Sequence, residues 1–149
     1  MNLPMFDISN ISPGMIIDVV GRKFTGKTYL IKNILHVLQT KYDIDLVIII
    51  CPDFYLSRDG NWHNSRKQSY GSIYGNIEKY YSIQNFLCAE MIKYTSKTIL
   101  VLDGSLDPRL NNNTKILQLI ANNIFHNVII ASELHNHINI KNDIPQVNY

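Results

Sequence analysis

Gly21-Arg22-Lys23-Phe24-Thr25-Gly26-Lys27-Thr28 decides how this chain is read. The eight residues fit the spacing G-x-x-x-x-G-K-[ST], the pattern of a phosphate-binding loop. Gly21 and Gly26 let the backbone fold back so that successive N–H groups converge on a phosphate. Lys27 supplies a point charge for the β- and γ-phosphates, and the Thr28 hydroxyl suits Mg²⁺. A helix opening near Gly26 adds its positive N-terminal dipole. Average residue usage gives such a match by chance in well under ~1% of chains this long. Nucleotide contacts are expected from Gly21 to Tyr29, with Arg22, Lys23, Phe24 and Thr25 included. Phe24 is bulkier than the small residues such loops often carry.

The flanks agree with the loop. Residues 15–20 (MIIDVV) precede it as an apolar strand, and Leu30, Ile31, Ile34, Leu35 and Leu38 follow on one helical stripe. Three further apolar runs occur at 46–50 (LVIII), 98–102 (TILVL) and 127–131 (NVIIA). Such β-branched, nearly continuous runs suit parallel strands buried on both faces. Ser82 is a candidate N-cap for a helix carrying Ile83, Phe86, Leu87 and Met91. Ile116, Leu117, Leu119, Ile120 and Ile124 mark another helix. This alternation predicts an α/β fold with right-handed crossovers, a three-layer sandwich of the P-loop NTPase type around a mostly parallel sheet. Residues 52–75 fit no period, and a loop that long in a compact domain is functional or mobile.

Composition bounds the reading further. A chain of 149 residues holds one domain, spanning 1–149. With 46% hydrophobic and 17% charged residues it is not a disordered chain. Fourteen Lys+Arg against twelve Asp+Glu leave +2, too little to argue for nucleic acid by itself. Cys51 and Cys88 are far apart and read as reduced core thiols of an intracellular protein. Met1-Asn2-Leu3-Pro4 lacks the basic and apolar regions of a signal peptide. No apolar run approaches the ~20 residues of a membrane span. A soluble protein with no membrane partner is expected.

The second chemical signal is 98–103 (TILVLD), an apolar strand ending in an acid, the Walker B form. Asp103 is placed to hold the Mg²⁺ water shell beside the loop. Many ATPases follow this acid with a second that polarises the attacking water; here Gly104 stands there. Asp107 precedes Pro108 and reads as a turn residue, whereas Glu133 ends the fourth strand on the same sheet edge as Asp103. Arg109 is the best remaining arginine for a neighbour's nucleotide. Arg58, Arg66 and Lys67 interleave with Tyr55, Trp62 and Tyr70, which suits backbone contact with nucleic acid but equally an ordinary surface loop. His135 and His137 have no Cys or acid cluster nearby and make a poor zinc site.

Three stretches resemble one family. Leu46-Val47-Ile48-Ile49-Ile50-Cys51-Pro52 is similar to the second strand of poxvirus- and giant-virus-type genome-packaging ATPases, members of the FtsK–HerA group of DNA-pumping motors. Asn122-Asn123-Ile124-Phe125-His126-Asn127 and the strand after it resemble that family's polar turn and sensor strand, and Ile144-Pro145 its later Pro-containing segment. The resemblance implies ATP and Mg²⁺ as ligands, with Lys27, Asp103 and Glu133 as catalytic groups and Thr28 and Asp103 on the metal. It also implies double-stranded DNA as a partner, and a homo-oligomeric ring or a hetero-assembly with a full-length motor. The location it implies is the host cytoplasm or the virion. Departures are the Asp103-Gly104 pair, Ile124 or Phe125 in place of the turn arginine, and Glu133 in place of a sensor Gln. Family members also run on past position 149, so the chain reads as shortened at its C-terminus.

Three functions compete. The first is an ATPase whose hydrolysis drives movement of double-stranded DNA. The second is a nucleotide-binding pseudoenzyme or regulatory paralogue of such a motor, favoured by Gly104. The third is a small-molecule kinase, disfavoured by the scarcity of arginines for a lid. Motor-type topology predicts the strand order first, fourth, third, second (1-4-3-2), whereas in many kinases the loop strand and the Asp103 strand are neighbours. The first strand then becomes a sheet edge, with residues 6–12 as its candidate cover.

Overall fold

Parallel strands are joined by right-handed crossovers, so a chain that reverses direction across a sheet lays its helices on opposite faces. The computed structural model describes residues 7–22, 26–52, 70, 73, 75–88, 95–104 and 112–132. Its strands are β1 (Ile16–Val20), β2 (Leu46–Ile50), β3 (Ile77–Tyr80), β4 (Thr98–Asp103) and β5 (Asn127–Ser132). They form one all-parallel sheet in the order β1-β5-β4-β2-β3. From β1 to β2 to β3 the chain moves one way across the sheet; from β3 to β4 to β5 it moves back. Accordingly α1 (Lys27–Lys41) packs on one face, and α2 (Ile83–Leu87) and α3 (Asn112–Ala121) pack on the other.

The two-residue period of the strands divides the core. Val47, Ile49, Val101 and Ile129 join the α1 layer, while Ile48, Leu100, Leu102 and Ile130 join the layer under α2 and α3. Strands β2, β4 and β5 are buried along their whole length, which is why they read as unbroken apolar runs. β1 departs from that expectation. It lies at the sheet edge, with β5 its one strand partner among the described residues. Ile17 and Val19 are buried toward α1, but Asp18 and Val20 on the other face are exposed.

The sheet holds five strands where four were expected. The added β3 has Glu78 and Lys79 exposed and Ile77 and Tyr80 half-buried, a short charged edge strand with no apolar run to announce it. The 3-10 turn Ile8–Asn10, capped by Asp7, packs against α1, on the side of the sheet where Ile17 and Val19 of β1 are buried. Lys41 Nζ donates to the Ser9 carbonyl at 3.0 Å, and Ile11 is buried in the α1-side core.

α1 follows its stripe: Ile31, Ile34, Leu35 and Leu38 are buried and Leu30 is half-buried. α2 begins at Ser82, whose hydroxyl accepts the Asn85 N–H at 3.0 Å. Ser82→Ala is expected to lower stability by about 1 kcal/mol, read as a shifted urea midpoint at unchanged slope. α3 buries Ile116 and Ile120 but ends at Ala121, so Ile124 lies beyond it, after Asn123 at φ 53°. Cys51 is a core thiol, whereas Cys88 is exposed. Met91, Asp107, Arg109, Glu133, His135, His137 and most of residues 52–75 lie outside the described residues. Among the described residues no helix is long and apolar enough to cross a membrane.

Candidate functional site

The carboxyl ends of parallel strands share one sheet edge, and a cleft opens where connections depart to opposite faces. Here β1 leaves toward α1 and β4 toward α3, with β5 between them. Gly21 follows β1 directly, and its N–H donates to the Ser132 carbonyl at 3.2 Å, tying the loop to the end of β5. Asp103 closes β4 in register with Ala131, and the Gly104 N–H donates to the Ala131 carbonyl at 2.9 Å. The topology therefore brings Gly21 and Asp103 to the same edge of the sheet, on either side of the end of β5.

Gly26 is the N-cap of α1 and has φ 89°, ψ 18°, a left-handed conformation. A Cβ there would meet nothing within 4 Å, so the demand for glycine is conformational and not one of space. Gly21 is not in the left-handed region, so of the two glycines only Gly26 is required by its φ. Gly26→Ala is expected to cost about 1–2 kcal/mol, measured by chemical denaturation, and Gly26→Asn less.

Lys27 opens the helix, and its ammonium donates to the carbonyls of Gly21 at 2.6 Å and Arg22 at 3.2 Å. The side chain thus curls back and fastens the helix start to the loop start, keeping its charge at the loop. Arg22 and Tyr29 are exposed, whereas Thr28 is half-buried. Lys23, Phe24 and Thr25 lie outside the described residues.

Asp103 is 3% exposed, and a carboxylate so buried needs hydrogen bonds. One comes from a residue that the sequence reading placed only in the long loop. The fully buried Tyr70 hydroxyl donates to Asp103 Oδ2 at 2.7 Å. The Thr28 side chain is close enough to the phenol to act on its pKa. Burial, then the Asp103 charge and its hydrogen bond, raise the Tyr70 pKa far above the ordinary tyrosine value, with a smaller push from Cys51; the Thr28 side chain opposes them. Tyr70 therefore stays protonated and donates to the Asp103 carboxylate. No local signal marks Tyr70, because its partner lies 33 residues away.

Ser132 is the second residue the sequence reading passed over. It ends β5 opposite Val20, and its buried hydroxyl has no hydrogen-bond partner among the described residues. Sequence reasoning chose its neighbour Glu133 because of its charge; the apolar-strand-to-polar switch at Ala131-Ser132 is the signal that could have found it.

Thr28 and Asp103 are oxygen donors, the ligand type that hard cations such as Mg²⁺ take. Among the described residues no three His, Cys, Asp or Glu side chains group as a metal site. No protein-family model matches the chain, and a search of curated proteins finds no significant match.

Proposed function

We propose that this protein binds ATP with Mg²⁺ at the 21–28 loop and is an ATPase of the viral DNA-packaging type. The observation that carries the reading is the meeting of Lys27, Thr28 and Asp103 at one sheet edge, in a stretch whose spacing suits a phosphate loop. In this reading Lys27 exchanges its carbonyl partners for β- and γ-phosphate oxygens. Thr28 and Asp103 hold the metal, which supplies neutralisation of phosphate charge when bound. The placement of β5 between β1 and β4 supports a motor-type layout over a kinase in which those two strands are neighbours. Glu133 as the group that holds water, duplex DNA and a ring neighbour enter from the family resemblance.

One observation favours the non-hydrolysing alternative. Gly104, where a second acid stands in many ATPases, has φ 68°, a conformation that strains a side-chain-bearing residue. The position is thus built as a turn. Radiolabelled ATP turnover by the protein and by Lys27→Ala, with and without duplex DNA, separates the readings. Turnover above the variant that rises with DNA supports the motor ATPase. Saturable ATP binding with turnover no higher than the variant's supports the nucleotide-binding relative.

A further inference from the structure

The last torsion of an aspartate is broad and two-fold, so the carboxylate turns unless something holds one of its oxygens. Asp103 is held. The Tyr70 hydroxyl donates to its Oδ2 at 2.7 Å. Tyr70 is fully buried in the α1-side core with Ile49, Cys51 and Val101, so packing fixes the ring that carries the hydroxyl. Asp103 ends β4 on that same face, two residues beyond Val101. A phenol is also a neutral donor, so this bond orients the carboxylate without cancelling the charge that a cation needs.

We propose that Tyr70 is the positioning residue of the metal carboxylate: its hydroxyl fixes the orientation in which Asp103 meets the Mg²⁺ of a bound nucleotide. The inference rests on the nucleotide reading of the 21–28 loop. Hydrogen bonds that orient a metal-binding side chain typically change metal affinity by about 10–100-fold when they are removed. Metal-free ATP needs only the loop amides and Lys27, and is indifferent to how Asp103 is turned. Tyr70 therefore acts on the magnesium complex alone and acts through Asp103, beyond satisfying a buried carboxylate.

Calorimetric titrations with ATP in EDTA and with ATP in excess Mg²⁺ give each protein's magnesium preference, the ratio of the two affinities. Tyr70→Phe removes the hydroxyl and keeps the ring. It is expected to lower that preference about 10-fold, through weaker binding of the magnesium complex at unchanged affinity for ATP in EDTA. In an Asp103→Asn background the same substitution is expected to have no further effect, because no carboxylate is left to orient. A purely structural tyrosine would lower both affinities together or act alike in both backgrounds, and either result overturns the role of Tyr70. So does an unaltered or higher preference in Tyr70→Phe, or ATP binding by the unaltered protein with no magnesium preference. Those results leave ATP binding at the loop standing. No ATP binding by any of these proteins in either condition overturns the nucleotide reading, and this inference with it.

A measurement on the unaltered protein covers a variant that does not fold. The Tyr70 hydroxyl proton, followed by NMR, is expected to persist on saturation with ATP and Mg²⁺, because the bond holds Asp103 while the metal is bound. Its loss at saturation overturns the proposal.

Discussion

Lys27→Ala is expected to weaken Mg-ATP binding by about 100-fold while leaving the fold intact. An ammonium on a triphosphate makes charge-assisted hydrogen bonds, each worth about 1.5–3 kcal/mol net. Two such bonds, less the carbonyl bonds surrendered to make them, leave roughly 3 kcal/mol, which is about 100-fold in affinity. Little else depends on this side chain. It is half-buried, its partners are the carbonyls of Gly21 and Arg22, and it sits in the first turn of α1, where alanine is a good helix former. The melting midpoint should therefore move by no more than about 1 kcal/mol of stability permits. Calorimetry against thermal melting checks both halves. A variant that binds Mg-ATP as well as the unaltered protein would remove the phosphate-loop assignment. Equal losses of binding and of stability would show Lys27 to be a structural fastening.

The contrast between Lys27 and Tyr70 shows what a linear sequence discloses. The loop is legible because its parts are contiguous: spacing alone fixes Gly26, Lys27 and Thr28 on one turn, with a strand before it and an amphipathic helix after it. Asp103 is legible for a similar reason, as the first acid after an apolar run. Tyr70 is not, because its importance comes from the sheet order that carries β4 and α1 to it. Ser132 is a weaker case of the same kind. A neutral hydroxyl beside a glutamate draws no notice until its burial and lack of a partner among the described residues are known.

The fold divides along the same line. Buried on both faces, β2, β4 and β5 have to be apolar throughout, so their sequences announce them. The edge strand β3 carries Glu78 and Lys79, and its four residues gain their pairing from β2 and not from any apolar period. β1 lies between these cases. Its sequence looks uniformly apolar apart from Asp18, yet only Ile17 and Val19 are buried. Edge position, which depends on the whole sheet, decides exposure there.

Leu100→Ala is expected to be the most destabilising single truncation argued here, at about 2–5 kcal/mol. Leu100 is fully buried at the middle of β4, flanked in register by Ile48 of β2 and Val128 of β5. It belongs to the core layer that also takes Ile116 and Ile120 from α3 and Phe86 from α2. Strand neighbours fix the backbone on both sides, so the layer cannot close on the missing atoms, and the loss includes a cavity besides the transfer of apolar atoms. At roughly 3 °C per kcal/mol for a chain of this size, the melting temperature should fall by about 6–15 °C. Against a typical stability of about 5–15 kcal/mol, that is a large share. Val20→Ala is the internal control. Val20 is 37% exposed on the open face of the edge strand and should cost less than about 1 kcal/mol. Equal losses for the two would mean that β1 is covered on that face by a layer comparable to the one under α2 and α3. A small loss at Leu100 would mean that β4 is not at the centre of the sheet, and the meeting of Asp103 with the loop would go with it.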